Sequence, residues 1–298
     1  MEVVVKRGRT VAGSITAPPS KSMAHRAVLC AALAKGTSHL KNLAFSKDIS
    51  ATLGAAGQLC ARVTTGGNDA VVEGLGGFLP VTAPVDCCES GSTLRFLIPL
   101  ASLTGQEVTF TGRGRLMERP QSVYKALYQE QNLRFEQAAD RLTVEGTLTP
   151  GEYKLAGNVS SQFISGLLFA LPLLGGTSLL HLLPPVESRS YIDMTRAVQQ
   201  AFGVESRWLD ENTLEIPGRQ SYHPCDYTVE GDYSQAAFPA VLGAVTGGVT
   251  ITGLSEQTLQ GDAAILDILK RCGADFTRSG QGVVFAKAPL HGTEIDLA

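Results

Sequence analysis

Four stretches of this chain repeat one pattern, and that repeat limits the possible folds more than any other feature. Each starts as an apolar, helix-like segment and runs through a glycine into a β-rich stretch: HRAVLCAALAKGTSHLKNL, STLRFLIPLASLTGQEVTFTG, SQFISGLLFALPLLGGTSLLHLL and SQAAFPAVLGAVTGGVTITGL. Gly36, Gly105, Gly176 and Gly248 hold the same place in each, a period of roughly 70 residues. Glycine there suits a helix C′ position with positive φ. A second amphipathic helix follows in every unit, as in DISATLGAAGQL and SVYKALYQEQ. Two short strands come next, about polar turns at Asn68, Asp140, Asn212 and Gly280, where hairpin chemistry prefers such residues. A strand precedes each first helix (TVAGSITAP, LPVTAPVDC, EYKLAG and DYTVEG), so every unit reads β-α-β-α-β-β. The fold class is therefore α/β, built from repeats. Units end near Gly74, Gly146, Gly218 and Ala288, and PLHGTEIDLA then reads as the first strand of a fifth. A strand without its covering helix is a poor domain end, so the chain reads as truncated, with four units and one strand present.

The repeat also places the chemistry. The segment between first strand and first helix carries the unusual residues of each unit. In the first it is Pro19-Ser20-Lys21-Ser22 followed by Arg26; Ser22 and Arg26 are four apart, hence on one helical face. A helix N-terminus with free N–H groups, a hydroxyl and two cations suits a phosphate or carboxylate. In the second it is Glu89-Ser90-Gly91-Ser92-Thr93-Leu94-Arg95, where small residues let a ligand approach backbone. In the third, Ser160, Ser161 and Gln162 can wrap an oxyanion with little charge. The fourth, Glu230-Gly231-Asp232, is acidic and reads as a plain N-cap. Two more loops add cations: Gly112 to Pro120, with Arg113, Arg115 and Arg119, and Glu187 to Tyr191 around Ser188. Arginine suits bidentate recognition of carboxylate and phosphate. Taken singly, each loop also reads as an N-cap followed by solvated charge. Taken together they recur at one topological position, and parallel strands bring such positions to one side of a protein. The expected ligand is small and multiply anionic.

Composition narrows the classes further. The net charge is only −3 across 298 residues, so no global field favours nucleic acid, and any anion site is local. The longest apolar run, Phe163 to Leu174, is broken by Ser165, Gly166 and Pro172, which argues against a membrane span. The six cysteines show no metal-ligand spacing and read as reduced thiols of a cytoplasmic protein. No Walker A, GxGxxG, HExxH or GxSxG pattern occurs.

Six ordered segments, PSKSMAHRAV, ESGSTLRFLIPLAS, GRGRLMERPQSVYKAL, GNVSSQFISGLLFALPLL, ESRSYIDMT and VEGDYSQAAF, resemble the 5-enolpyruvylshikimate-3-phosphate (EPSP) synthases of the enolpyruvyl transferase family, over about Arg9 to Ala298. The resemblance implies two domains, each of three βαβαββ units around a pseudo-threefold axis, an inside-out α/β barrel. It assigns residues 20–228 to one complete domain, and 1–19 with 229–298 to an incomplete second one. Six units at this period need roughly 420 residues. The implied reaction moves the enolpyruvyl group of phosphoenolpyruvate to the 5-hydroxyl of shikimate 3-phosphate and releases phosphate. It implies no cofactor or metal, no nucleic-acid or membrane partner, and a monomer.

By that resemblance Lys21 reaches phosphoenolpyruvate and is the remaining proton-transfer group. Ser22 and Arg26 hold the shikimate ring and carboxylate. Ser160, Ser161, Ser188 and Tyr191 contact shikimate 3-phosphate, Gln162 bridges the substrates, and Gly91 and Arg119 meet phosphoenolpyruvate. Glu89 stands where many relatives have asparagine. The family's acid/base Asp and Glu fall in units five and six, so the 298-residue chain is expected to bind shikimate 3-phosphate weakly and to turn over little. Two alternatives stand beside this reading. One is a non-catalytic substrate-binding fragment of the same enzyme. The other is a UDP-N-acetylglucosamine enolpyruvyl transferase, against which stand Lys21-Ser22 in place of Lys-Asn and Leu116-Met117 in place of a loop cysteine.

Overall fold

The computed structural model describes residues 11–279 and 282–295. In chain order its elements are β1 (Gly13–Thr16), α1 (Lys21–Leu33), β2 (Lys35–Lys41), α2 (Lys47–Leu59), β3 (Ala61–Gly66), β4 (Asp69–Leu75), β5 (Val85–Asp86), α3 (Gly91–Ala101), β6 (Val108–Thr111), α4 (Ser122–Glu130), β7 (Arg134–Gln137) and β8 (Arg141–Glu145). There follow β9 (Glu152–Ala156), α5 (Ser161–Ala170), β10 (Ser178–Leu183), α6 (Arg189–Ala201), β11 (Arg207–Trp208), β12 (Thr213–Ile216), β13 (Tyr227–Thr228), α7 (Tyr233–Thr246), β14 (Val249–Thr252), α8 (Ala264–Arg271), β15 (Asp275–Ser279) and β16 (Gly282–Ala286). The chain is α/β and forms two compact units, one spanning Lys21–Val229 and the other comprising the described residues on either side.

The larger unit holds three four-stranded sheets of one design: β13-β2-β4-β3, β5-β6-β8-β7 and β9-β10-β12-β11. In each, one strand runs parallel to the first strand of the hairpin sheet (β13 to β2, β5 to β6 and β9 to β10), and the remaining pairings are antiparallel. The first helices α1, α3 and α5 are apolar on nearly every side, which suits a helix enclosed all round. Every residue of α1 from Met23 to Leu33 is buried. The helices pack in cyclic order, α1 on α2, α2 on α3, α3 on α5, α5 on α6 and α6 back on α1. Large core side chains such as Phe96, Phe169, Tyr124 and Tyr128 fill the middle, each worth about 1.5–3 kcal/mol of apolar burial. Gly166 sets the α3–α5 distance: a Cβ there would lie 2.2 Å from Tyr124 Oη and 2.4 Å from the Arg95 carbonyl oxygen.

The smaller unit contains the sheet β1-β14-β16-β15, with α7 packed on it. Here the periodicity misleads. It assigns TVAGSITAP to the first repeat and DYTVEG to the fourth, yet the two strands are exchanged. β1 pairs in parallel with β14, Gly13 opposite Val249, while β13 pairs in parallel with β2, Tyr227 opposite Leu40. A strand pairs with whichever ladder offers free N–H and C=O groups, and sequence order does not specify which. Residues Pro289 to Ile295, read as the strand of a fifth unit, form no strand. They pack at the end of α8 instead, where the His291 N–H donates to the Cys272 carbonyl at 2.9 Å. Of the four repeat glycines, Gly248 follows the α7 C-cap with φ 70° as expected. Gly176 does not have positive φ, because α5 ends through a 3-10 turn at Leu171–Leu173. The turn residue Gly280 lies outside the described residues. All six cysteines are free thiols.

Candidate active site

The N-termini of α1, α3 and α5 in the larger unit carry most of the sequence-derived candidates, and hydroxyl caps explain where α3 and α5 begin. Ser90 Oγ accepts the Thr93 N–H at the start of α3, and Ser160 Oγ accepts the Gln162 N–H at the start of α5. Such caps contribute about 1 kcal/mol each. In the smaller unit Asp232 caps α7 by accepting the Gln235 N–H, the plain role its sequence suggests. The stretch Glu187 to Tyr191 read as a loop is cut short, since the next helix begins at Arg189; Tyr191 lies in its first turn and Ser188, at φ 56°, leads into it.

Arg26 is the deepest cation, only 2% exposed. Its Nε–H donates to Thr195 Oγ1 at 2.8 Å, Nη1 to the Ser22 carbonyl at 2.7 Å, and Nη2 to Ser165 Oγ at 3.3 Å and the Tyr191 carbonyl at 3.1 Å. The guanidinium also lies 5.4 Å from the Phe96 ring centroid and 6.0 Å from that of Tyr191. Burial pulls its pKa down to about 10, which leaves it charged at neutral pH. No carboxylate pairs with it among the described residues. A buried cation held only by neutral acceptors costs desolvation energy that an anionic ligand would offset.

A second group lies along the same face of α5. Gln162 and Ser165 are three residues apart, so one helical face serves both groups. Gln162 Oε1 accepts from Arg95 Nη1 at 2.8 Å, and its Nε2 donates to Ser92 Oγ at 2.9 Å. Gly91 opens the space between: a Cβ there would sit 3.0 Å from Arg119 Nη1 and 3.8 Å from Gln162 Oε1. The three arginines of the Gly112–Pro120 loop separate. Arg113 pairs with Asp86 and Arg115 with Glu118, whereas Arg119 has no carboxylate partner among the described residues and is exposed. A cavity of about 300 Å³ opens beside it, lined by Arg115, Glu118 and Pro120. Lys21 turns to α2, its Nζ 2.8 Å from Asp48 Oδ2. An apolar cavity of about 420 Å³ at the opposite ends of α1, α3 and α5, against Leu33, Leu103 and Leu173, has no charged lining and cannot neutralise a dianion.

Sequence reading named Ser22, Arg26 and Tyr191, which meet in one group, and Gly91, Arg119 and Gln162, which meet in the other. Ser160 and Ser161 adjoin Gln162 at the start of α5, and Ser188 adjoins Tyr191. It missed Arg95, whose signal was present: four residues after Gly91, it shares that residue's helical face. Burial lowers its pKa, the nearby Arg119 lowers it too, and Tyr124 opposes. Asp48, Ser165 and Thr195 had no local signal.

His25 lies beneath this surface, fully buried, with its pKa lowered to about 3 by burial, despite the opposing field of Asp48 and with help from Arg26 and Lys21. The unfolded chain binds a proton on this histidine below its ordinary 6.5 while the folded chain stays neutral down to about 3, so stability falls as pH drops through that window. The expected loss is on the order of 4 kcal/mol at the acid end. Urea midpoints at pH 7, 5 and 4 check this: His25→Asn should lose distinctly less stability than the natural chain over the same span.

The repeated βαβαββ fold has counterparts of known structure. The fold matches that of EPSP synthase from Acinetobacter baumannii, with a TM-score of 0.81 at 23% identity over 96% of this chain and 67% of that one. A second EPSP synthase structure from the same organism matches with a TM-score of 0.78. The sequence matches the family EPSP synthase (3-phosphoshikimate 1-carboxyvinyltransferase) over residues 5–298. It is 41% identical to the 3-phosphoshikimate 1-carboxyvinyltransferase of Clostridium kluyveri, covering 96% of this chain and 68% of that protein. The Clostridium perfringens (strain SM101) protein of the same name is 40% identical over 99% of this chain and 71% of its own length. The chain belongs to the EPSP synthase family, and it spans about two thirds of the length of these relatives.

Proposed function

We propose that this chain binds shikimate 3-phosphate and phosphoenolpyruvate as a 3-phosphoshikimate 1-carboxyvinyltransferase of aromatic amino acid biosynthesis. The unit from Lys21 to Val229 supplies the shikimate 3-phosphate half of the site. In the reaction a bond forms between the acceptor 5-oxygen and the enol carbon, the enol carbon–phosphate oxygen bond breaks, and phosphate leaves with the displaced proton. The observation that carries this reading is the set of three arginines, Arg26, Arg95 and Arg119, which lack carboxylate partners among the described residues, with Gln162 between them. Two anionic substrates repel each other, and fixed cations and amides offset that repulsion more strongly where charge develops. Arg26, Ser22, Ser160, Ser161, Ser188 and Tyr191 take shikimate 3-phosphate. Gly91, Arg119 and Lys21 take phosphoenolpyruvate, with Gln162 touching both, and Lys21 carries the proton. Arg95 joins the phosphoenolpyruvate side through Gln162. We place the protein in the cytoplasm as a monomer; among the described residues no helix is long and apolar enough to cross a membrane.

Calorimetry with shikimate 3-phosphate, run beside phosphate-release assays with both substrates, tests the reading. Saturable binding of shikimate 3-phosphate, absent with UDP-N-acetylglucosamine, supports it. Binding or phosphate release only with the nucleotide sugar would replace it with the other enolpyruvyl transferase.

A further inference from the structure

One buried polar chain links α1, α2 and α3 and ends on the Ser90 cap of α3. His25 Nδ1 of α1 lies 2.7 Å from Thr52 Oγ1 of α2, and Thr52 Oγ1 lies 2.7 Å from Thr93 Oγ1 of α3. Thr93 Oγ1 in turn donates to Ser90 Oγ, the α3 cap, at 2.7 Å. All four residues are buried.

Proton counting gives the chain a direction. Each hydroxyl owns one proton. Thr93 spends its proton on Ser90, so the short Thr52–Thr93 contact needs the Thr52 proton. Thr52 then has none to give His25, and the His25–Thr52 contact needs a proton on Nδ1. The Asp48 carbonyl, 3.2 Å from Thr52 Oγ1 and 3.5 Å from Thr93 Oγ1, competes for these protons at longer range. Were Thr52 to donate there, its 2.7 Å contact with Thr93 would hold no proton. Nε2 is thereby left as a bare acceptor, and it is a buried nitrogen without a partner among the described residues.

We infer that His25 is a positioning residue for phosphoenolpyruvate: its Nδ1–H orders the Thr52–Thr93–Ser90 chain and so holds the first turn of α3, with Gly91 and Arg95, against Arg119 and Gln162. The inference rests on the function proposed above. Orphaned buried acceptors are costly, so a tautomer that leaves Nε2 bare persists only where the Nδ1 bond compensates. The burial that keeps the ring neutral also keeps the direction of donation constant through the neutral pH range.

Two substitutions separate this role from simple packing. The Asn amide places an N–H where Nδ1 stands, whereas the Gln amide places one near Nε2. His25→Asn is therefore expected to keep phosphoenolpyruvate affinity, measured at saturating shikimate 3-phosphate, within about 2-fold. His25→Gln weakens it about 10-fold while the affinity for shikimate 3-phosphate changes less than about 2-fold. Hydrogen exchange at the Thr93 amide, which donates to Ser90 Oγ, is expected to rise about 10-fold in His25→Gln and to stay unchanged in His25→Asn. Side-chain nitrogen NMR of the natural chain should show a protonated Nδ1 and a bare Nε2, unchanged from pH 5 to 8. A protonated Nε2, or equal behaviour of the Asn and Gln variants, overturns the inference. The NMR and exchange measurements need no ligand, so a natural chain that binds no phosphoenolpyruvate would sink the functional reading while they still decide the role of His25.

Discussion

Arg26→Lys is expected to lose both folding stability and shikimate 3-phosphate binding, although the charge is kept. The guanidinium fork meets four oxygens at once, from Ser22, Ser165, Tyr191 and Thr195. Arginine has five N–H donors, so one, on Nη1, is left for a ligand. An ammonium is a compact point charge with three donors on a flexible stem and cannot reproduce that spread. Four acceptors face only three donors, so at least one buried acceptor loses its partner, at about 1–3 kcal/mol. Urea unfolding should therefore show a loss of about 1–3 kcal/mol. Shikimate 3-phosphate affinity should fall about 100-fold, equivalent to roughly 2.8 kcal/mol, because the remaining donor no longer points at the site. A lysine variant with the natural melt and natural affinity would show that Arg26 serves neither purpose.

Gly91→Ala is expected to do the opposite, sparing the fold and damaging the site. Gly91 is the first residue of α3, and alanine is the better helix former, so the substitution is neutral or slightly stabilising by a few tenths of a kcal/mol. The new methyl carbon, however, would stand 3.0 Å from Arg119 Nη1. Arg119 is exposed and yields without strain on the core. Its displacement spoils a fork geometry that depends on alignment, and the methyl fills space a ligand oxygen needs. Phosphoenolpyruvate affinity should fall about 10-fold or more, with shikimate 3-phosphate affinity within about 2-fold. Equal losses for both ligands would mean that the two groups of residues are not separate subsites.

The two variants together read the division of labour along α5. Ser165 answers to Arg26 and Gln162 to Arg95, three residues apart on one face. The helix is held at its distance from α3 by Gly166, where no side chain fits against the Arg95 carbonyl. Placement of the site thus depends on a core glycine as much as on the cations themselves.

The sequence by itself determined what is local or periodic. The βαβαββ order, the helix starts at Ser90, Ser160 and Asp232, and the clustering of hydroxyl, amide and cationic residues at the starts of α1, α3 and α5 follow from capping and from hydrophobic period. Each depends on residues within one or two turns of one another. The tertiary structure alone decided three things. It set the ladder partners of β1 and β13, which the repeat period misassigns, because pairing is set by which edge is free. It singled out Arg119 from Arg113 and Arg115, because their carboxylate partners differ only in space. It joined Arg26 to Thr195 and Ser165 across more than a hundred residues, and Lys21 to Asp48, since hydrogen bonds and ion pairs act over a few ångströms and sequence distance does not report that separation.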